Sequence, residues 1–121
     1  MTGGSKGIGG GIVNLLAKEG AFPVIVGRNK DDVLSAIKKI EKNGYKAGYA
    51  FAELTKLEEC KKAVSHVINQ YGSIDGIINN AGVNDGVGLE NGNYQDFMKS
   101  IKRNLAHYYT CLLYTSDAAD E

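Results

Sequence analysis

This chain has no surplus of charge. Lys plus Arg and Asp plus Glu each total 14, leaving a formal net charge of zero. Such a balance gives no long-range field for nucleic acid or an acidic membrane surface. There is no basic run, and no aromatic platform of the kind single-strand binders use. No apolar stretch is long enough to span a bilayer, and the start lacks the charged-then-apolar pattern of a secretory signal. Only two cysteines occur. Cys60 and Cys111 have no metal-ligand spacing, which points away from a metal site and towards a reducing compartment. These absences predict a cytoplasmic protein that engages neither nucleic acid nor membrane. Proline is also scarce, with one residue against sixteen glycines, and the glycine positions carry the information.

What is present is an ordinary globular composition, 43% hydrophobic and 23% charged in 121 residues, enough for one domain or a piece of a larger one. After the opening glycines, Ile8, Ile12, Leu15 and Leu16 recur at helical spacing up to Gly20. Residues 22–26 (FPVIV) read as a buried parallel strand. Asn29 is placed to cap the next helix. Asp31 and Asp32 suit its first turn and Lys38, Lys39 and Lys42 its end, Val33, Ile37 and Ile40 mark its inner face, and Gly44 stops it. Residues 47–52 (AGYAFA) read as a further strand, weakened by Gly48. Thr55 with Glu58 forms a capping-box pattern. It opens a helix striped by Leu57, Cys60, Val64, Val67, Ile68 and Tyr71 and closed by Gly72. Residues 74–78 (IDGII) read as the next strand, followed by a loop rich in glycine and asparagine over 79–93. Phe97, Ile101, Leu105 and Tyr108 stripe a last helix. Alternating strands and helices predict crossover units, hence an α/β fold with a doubly wound parallel sheet.

The run Thr2-Gly3-Gly4-Ser5-Lys6-Gly7-Ile8-Gly9 opens the first helix. Glycines there allow backbone N–H groups to approach a phosphate, and the helix N-terminus adds partial positive charge. In dinucleotide-binding units an acid at the end of the second strand holds the ribose 2′-hydroxyl, whereas an arginine accommodates a 2′-phosphate. This chain has Gly27-Arg28 at that place, with no acid, and Lys6 adds a second cation. The pattern predicts NADP in preference to NAD.

The spacing Thr-Gly-x-x-x-Gly-Ile-Gly resembles the signature of the short-chain dehydrogenase/reductase family. A second family motif, Asn79-Asn80-Ala81-Gly82, comes directly after the strand ending at Ile78, and the two stand in family order. The resemblance runs from Thr2 to about Thr110 and implies a partial dinucleotide-binding Rossmann domain over residues 1–110. It implies that Gly3, Gly7 and Gly9 shape a pyrophosphate turn lined by Ser5, Lys6 and Ile8, and that Arg28 receives the adenosine 2′-phosphate. Glu53 and Leu54 stand beside the adenine, where the family usually has Asp followed by an apolar residue. Asn80, Ala81 and Gly82 would pass along the cofactor ribose, with Thr2 bracing that strip. Asn104 matches the asparagine that helps hold a water in the family's proton relay, a catalytic role. The family acts on small molecules, often as homo-oligomers, and the intact enzyme is expected to be one.

The family's catalytic Tyr-x-x-x-Lys is not in the chain: none of its seven tyrosines has lysine at the fourth position after it. The chain alone is therefore expected to be inactive. The fold is expected to be incomplete, lacking its first strand and C-terminal half. In the doubly wound order 3-2-1-4 that strand is central, so the chain is expected to lack a stable native-like fold, which a cooperative thermal transition would contradict. Residues 111–121 (CLLYTSDAADE) resemble the translation of a transposase sequencing adapter and are set apart as a non-native tail.

The run from Asn79 to Tyr109 is similar to bacterial sugar dehydrogenases of the L-fucose dehydrogenase type. In that reading Asn84, Asp85 and Glu90 hydrogen-bond sugar hydroxyls. The alternative substrate is that of the 3-oxoacyl-carrier-protein reductases. The alternative of another class is a nucleotide-binding module without catalysis. Methyltransferases share a glycine-rich first turn but usually keep the strand-end acid that Gly27-Arg28 lacks.

Overall fold

The computed structural model describes residues 1–120. Its elements run α1 (Gly7–Lys18), β1 (Val24–Gly27), α2 (Lys30–Lys42), β2 (Gly48–Phe51), α3 (Leu57–Tyr71), α4 (Tyr94–Ile101), a π turn (Lys102–Ala106) and α5 (His107–Asp120). β1 and β2 pair in parallel, with Val24 opposite Gly48 and Gly27 opposite Phe51. α2 is the crossover between them. It forms as its sequence dictates: Asn29 Oδ1 accepts the Asp32 N–H at 3.1 Å, with acids in the first turn and lysines in the last.

Helices lie on both faces of the sheet. On one, Ile25 packs with Val13 and Ala17 of α1 and Val33, Ile37 and Ile40 of α2. On the other, Ala50 and Ala52 meet Ala63 and Val67 of α3, with Val24 and Val26 at the margin. The alternation along β1 is the period of a strand sending successive side chains to opposite faces. Gly48 belongs to β2 because Tyr71 crosses it: a Cβ there would lie 2.7 Å from the Tyr71 hydroxyl, which accepts the Tyr49 N–H at 3.1 Å.

Several expectations are corrected. Strand pairing starts at Val24 rather than Phe22, since Pro23 has no N–H to give and contributes only its carbonyl, to Gly48. β2 is shorter at both ends than residues 47–52. The capping box does not form: Lys56 occupies the N-cap of α3 with no side-chain cap, and Thr55 Oγ1 donates instead to Glu53 Oε1 at 3.1 Å. Residues 74–78 form no ladder. Their one backbone partner of this kind is Thr2, whose N–H donates to Ile78 O at 3.0 Å, and a single bond does not make a strand.

The last helix is not one continuous α-helix. The π turn adds a residue to one turn, rotating α5 relative to a straight 3.6-residue stripe. Past the turn His107 and Cys111 are buried in place of the stripe the sequence predicts, and Leu105 is exposed; Phe97, before the turn, is exposed as well. α5 continues without a break through residues 110 and 111 and packs on α3. Burial pushes the Cys111 thiol up to about 11, with Cys60 adding to the shift. Of the tail set apart as 111–121, Glu121 lies outside the described residues. Among the described residues no helix is long and apolar enough to cross a membrane, and no group of three potential metal ligands occurs.

Candidate functional site

Residues 1–3 join the two motifs that the sequence holds far apart. Val26 N–H donates to Met1 O at 2.8 Å, and Gly3 N–H donates to Val26 O at 2.9 Å. Thr2 is 3% exposed. Its Oγ1 accepts the N–H groups of Asn80 and Ala81 at 3.0 and 3.1 Å, so Thr2 braces the strip 80–82. Asn80 Nδ2 returns a bond to Gly3 O at 3.0 Å, closing a link across 77 positions.

Gly3 and Gly7 take positive φ, 65° and 61°, which turns the chain into α1. Gly9 permits a close approach: a Cβ there would collide with Gly3 O and lie 2.5 Å from Asn80 Nδ2. No side chain caps α1. Its first N–H groups therefore face the adjoining space without a capping partner, the usual receptor for an anion.

That space is a cleft of about 840 Å³, within the size range of small-molecule sites. Its walls include Gly3, Ser5, Lys6, Ile8, Gly9, Arg28, Glu53, Leu54, Asn80, Ala81 and Gly82, eleven of the twelve residues that the sequence assigns to a cofactor. Gly7 shapes the turn behind the wall. A smaller hollow of about 550 Å³ adjoins at Arg28 and Glu53, between Lys30, Phe51, Lys56 and Glu59.

Each of the two cations that the sequence assigns to the cofactor is paired with an acid, and the third cation on the cleft, Arg103, pairs with Asp85. Lys6 Nζ lies 3.1 Å from Asp32 Oδ2, and Arg28 Nη1 lies 3.3 Å from Glu53 Oε2. Burial by itself would raise the Glu53 carboxyl. Hydrogen bonds from Thr55 and the Arg28 guanidinium outweigh it and hold the carboxyl below its ordinary value.

Asn104 stands behind the cleft rather than on its wall. It lies in the π turn, a geometry frequent at functional sites. Its Oδ1 accepts the Val83 N–H at 2.7 Å, and its Nδ2 donates to Ser100 O at 3.1 Å. The amide thus ties the end of the strip 80–82 to the helix. Asp85 is equally occupied, accepting Ser100 Oγ at 3.0 Å and Arg103 Nη1 at 3.2 Å. Its carboxylate anchors the loop. Asn84 Oδ1 accepts the Gly86 N–H at 3.3 Å, and Glu90 is exposed on the loop.

Among the wall residues that the sequence does not assign to the site is a histidine. His107 lines the cleft and is 1% exposed. Nε2 donates to Arg103 O at 3.0 Å, while the buried Nδ1 has no partner among the described residues. Burial lowers the imidazole pKa, partly offset by the carbonyls of Arg103 and Ala81. The available signal was its place three residues after Asn104; the helical stripe through Leu105 and Tyr108 hides it.

The short chain dehydrogenase family model matches residues 1–118. The chain is 34% identical over 110 residues to the 3-oxoacyl-[acyl-carrier-protein] reductase FabG of Chlamydia muridarum, covering 90% of this chain and 44% of the relative. It is 31% identical over 113 residues to the FabG of Staphylococcus epidermidis, covering 93% and 46%. It thus spans less than half the length of these curated relatives. A solved metagenomic short-chain oxidoreductase in complex with NADP superposes with a TM-score of 0.87 at 27% identity, covering 97% of this chain and 53% of that one. The two curated relatives are named as acyl-carrier-protein reductases rather than sugar dehydrogenases, and the fold shared with the solved structure is Rossmann-like. On the match over 118 residues and the two motifs brought together at the cleft, the chain belongs to the short-chain dehydrogenase family.

Proposed function

We propose that this chain is the dinucleotide-binding part of an NAD(P)-dependent oxidoreductase, preferring NADP, that reduces the ketone of a 3-oxoacyl thioester on acyl carrier protein. The carrying observation is the convergence on one cleft of the uncapped α1 N-terminus, the cations Lys6 and Arg28, and the strip 80–82. In this reading the turn from Gly3 to Gly9, with Ser5, Lys6 and Ile8, receives the pyrophosphate. Arg28 takes the 2′-phosphate, Glu53 and Leu54 border the adenine, and Asn80, Ala81 and Gly82 line the ribose. The bound dinucleotide supplies the hydride. Asn104 positions the strip through Val83, and the proton-moving groups belong to the longer protein. Two FabG relatives above 30% identity support the acyl ketone over the sugar alcohol.

Two measurements test this reading. Calorimetric titration of the full-length enzyme containing this chain should show NADP binding, with Arg28→Ala weakening it about tenfold, the loss of one charge-assisted contact, and leaving NAD nearly unchanged. The full-length enzyme containing this chain should reduce an acetoacetyl thioester with NADPH. Oxidation of free L-fucose without thioester reduction would restore the sugar reading. Nucleotide binding without turnover of either would leave a non-catalytic nucleotide module.

A further inference from the structure

The sequence places Lys6 and Arg28 at the cleft with no acid at the end of the second strand. Folding brings an acid to each. Asp32 comes from 26 positions beyond Lys6 and Glu53 from 25 beyond Arg28, and both carboxylates lie on the same cleft wall. We infer that Asp32 and Glu53 set the choice between the two nicotinamide dinucleotides, restraining the affinity for a 2′-phosphate that Lys6 and Arg28 would otherwise confer. The inference rests on the dinucleotide reading above and concerns which dinucleotide is chosen.

Stability alone does not account for these pairs. The Lys6 and Arg28 side chains are 78% and 72% exposed, and ion pairs in that setting contribute little to folding. Their charges nevertheless remain where an anion would arrive. Glu53 is also fixed in place: Thr55 donates to Oε1 through its hydroxyl at 3.1 Å and its N–H at 3.4 Å, so the carboxylate does not simply swing away from Arg28. A 2′-phosphate carries roughly −1.5 to −2 charges at neutral pH and must share each cation with a carboxylate, which at Arg28 is held in place. A 2′-hydroxyl meets the opposite situation, because a carboxylate accepts its hydrogen bond. Asp32 and Glu53 thereby stand in, from elsewhere in the chain, for the acid that the strand end lacks. The arrangement predicts that the unsubstituted chain separates NADP from NAD only modestly.

The test is a parallel titration of NADP and NAD into the full-length enzyme containing this chain and into its Asp32→Asn and Glu53→Gln variants. Both substitutions preserve size and one acceptor oxygen while removing the charge and turning the second oxygen into an amide donor. Each should raise NADP affinity about fivefold, the equivalent of one surface charge interaction, and leave NAD equal or weaker. The double variant should combine the two gains. Glu53→Asp, which keeps the charge, should leave the NADP-to-NAD ratio as in the unsubstituted enzyme. The gains should shrink at high salt, as screened charges require; a purely steric effect would persist. An unchanged ratio in both neutral variants, or a fall in NADP affinity, overturns the inference: in the second case the acids position the cations instead of screening them. Failure of the unsubstituted full-length enzyme to bind either dinucleotide overturns the cofactor reading itself, and this inference with it.

Discussion

The two sides of the cleft are held by different forces. On the side of β1, apolar side chains from α1, β1 and α2 close on one another, and Ile25, Val13 and Val33 are wholly buried. On the side of α4 and the π turn no residue is buried at all. There the loop 83–86 is moored by polar bonds, Asn104 to Val83 and Asp85 to Ser100 and Arg103. The first side is rigid because dense packing tolerates few alternatives. The second rests on a handful of directional contacts in partial solvent, the arrangement expected of segments that open locally. The glycine turn and the α1 N-terminus thus sit on a fixed wall, and the loop after Gly82 sits on an adjustable one.

The sharpest way to break this comparison is to truncate an apolar residue on each side. Ile25→Ala removes a fully buried side chain and should cost about 2–5 kcal/mol. Leu105→Ala, at 56% exposure, should stay within about 0.5 kcal/mol. Urea denaturation of both variants reads the difference; equal losses would mean that the π-turn side is packed after all.

Next in size is the polar mooring. Asn104→Ala removes the acceptor of the half-exposed Val83 N–H, for which water partly substitutes, and should cost about 0.5–1 kcal/mol. The loss should be local: amide hydrogen exchange should quicken at Val83 and leave Ile25 protected. Uniformly faster exchange through the β1 core would show that Asn104 supports the whole fold, not one wall.

His107 links the two sides and should respond to pH. Its folded pKa is lowered by burial from 6.5, partly offset by the Arg103 and Ala81 carbonyls. The unfolded state therefore binds the proton more readily. The neutral ring's contribution to stability is fully present above about pH 6.5 and is lost as pH falls through the folded value. Glu53 is lowered from 4.5, so its contribution is lost in a later, more acidic stage. Urea midpoints measured between about pH 8 and pH 5 should fall in the unsubstituted chain and fall less in His107→Gln. His66 remains in both proteins, so the difference isolates His107. Identical pH profiles would remove the role given to its burial.

Whether a feature is legible in the sequence depends on the range of the interactions that make it. α2 is legible because Asn29, the flanking charges and the apolar spacing all act within one helix. The two motifs of the cleft are legible because glycine and asparagine patterns record what the backbone must do. The pairing of Lys6 with Asp32 and Arg28 with Glu53 is not legible: Asp32 satisfies the helix dipole whether or not Lys6 is near, and nothing local says that Lys6 is. The π turn leaves no compositional mark either, so a straight helical wheel assigns Leu105 to the core and passes over His107. Residues 74–78 carry strand composition, yet a strand also needs a neighbour, and here Thr2 alone supplies a bond.

The smallest expected effect separates local pattern from folded contact at the start of α3. The pattern Thr55…Glu58 predicts a reciprocal cap, whose loss would cost on the order of 1 kcal/mol. In the fold Glu58 caps nothing. Glu59 instead accepts the Glu53 N–H at 2.9 Å, and Thr55 serves the Glu53 carboxylate. Glu58→Ala should therefore change stability by less than about 0.5 kcal/mol, the range of an unengaged surface position. Glu59→Ala should cost more, because it leaves the Glu53 N–H without its partner, and it should loosen the acid that faces Arg28. Thermal melts of the two variants decide the matter. A larger loss from Glu58→Ala would mean that the capping box operates in solution, and Glu53 would then lack the fixed footing on which its effect on Arg28 depends.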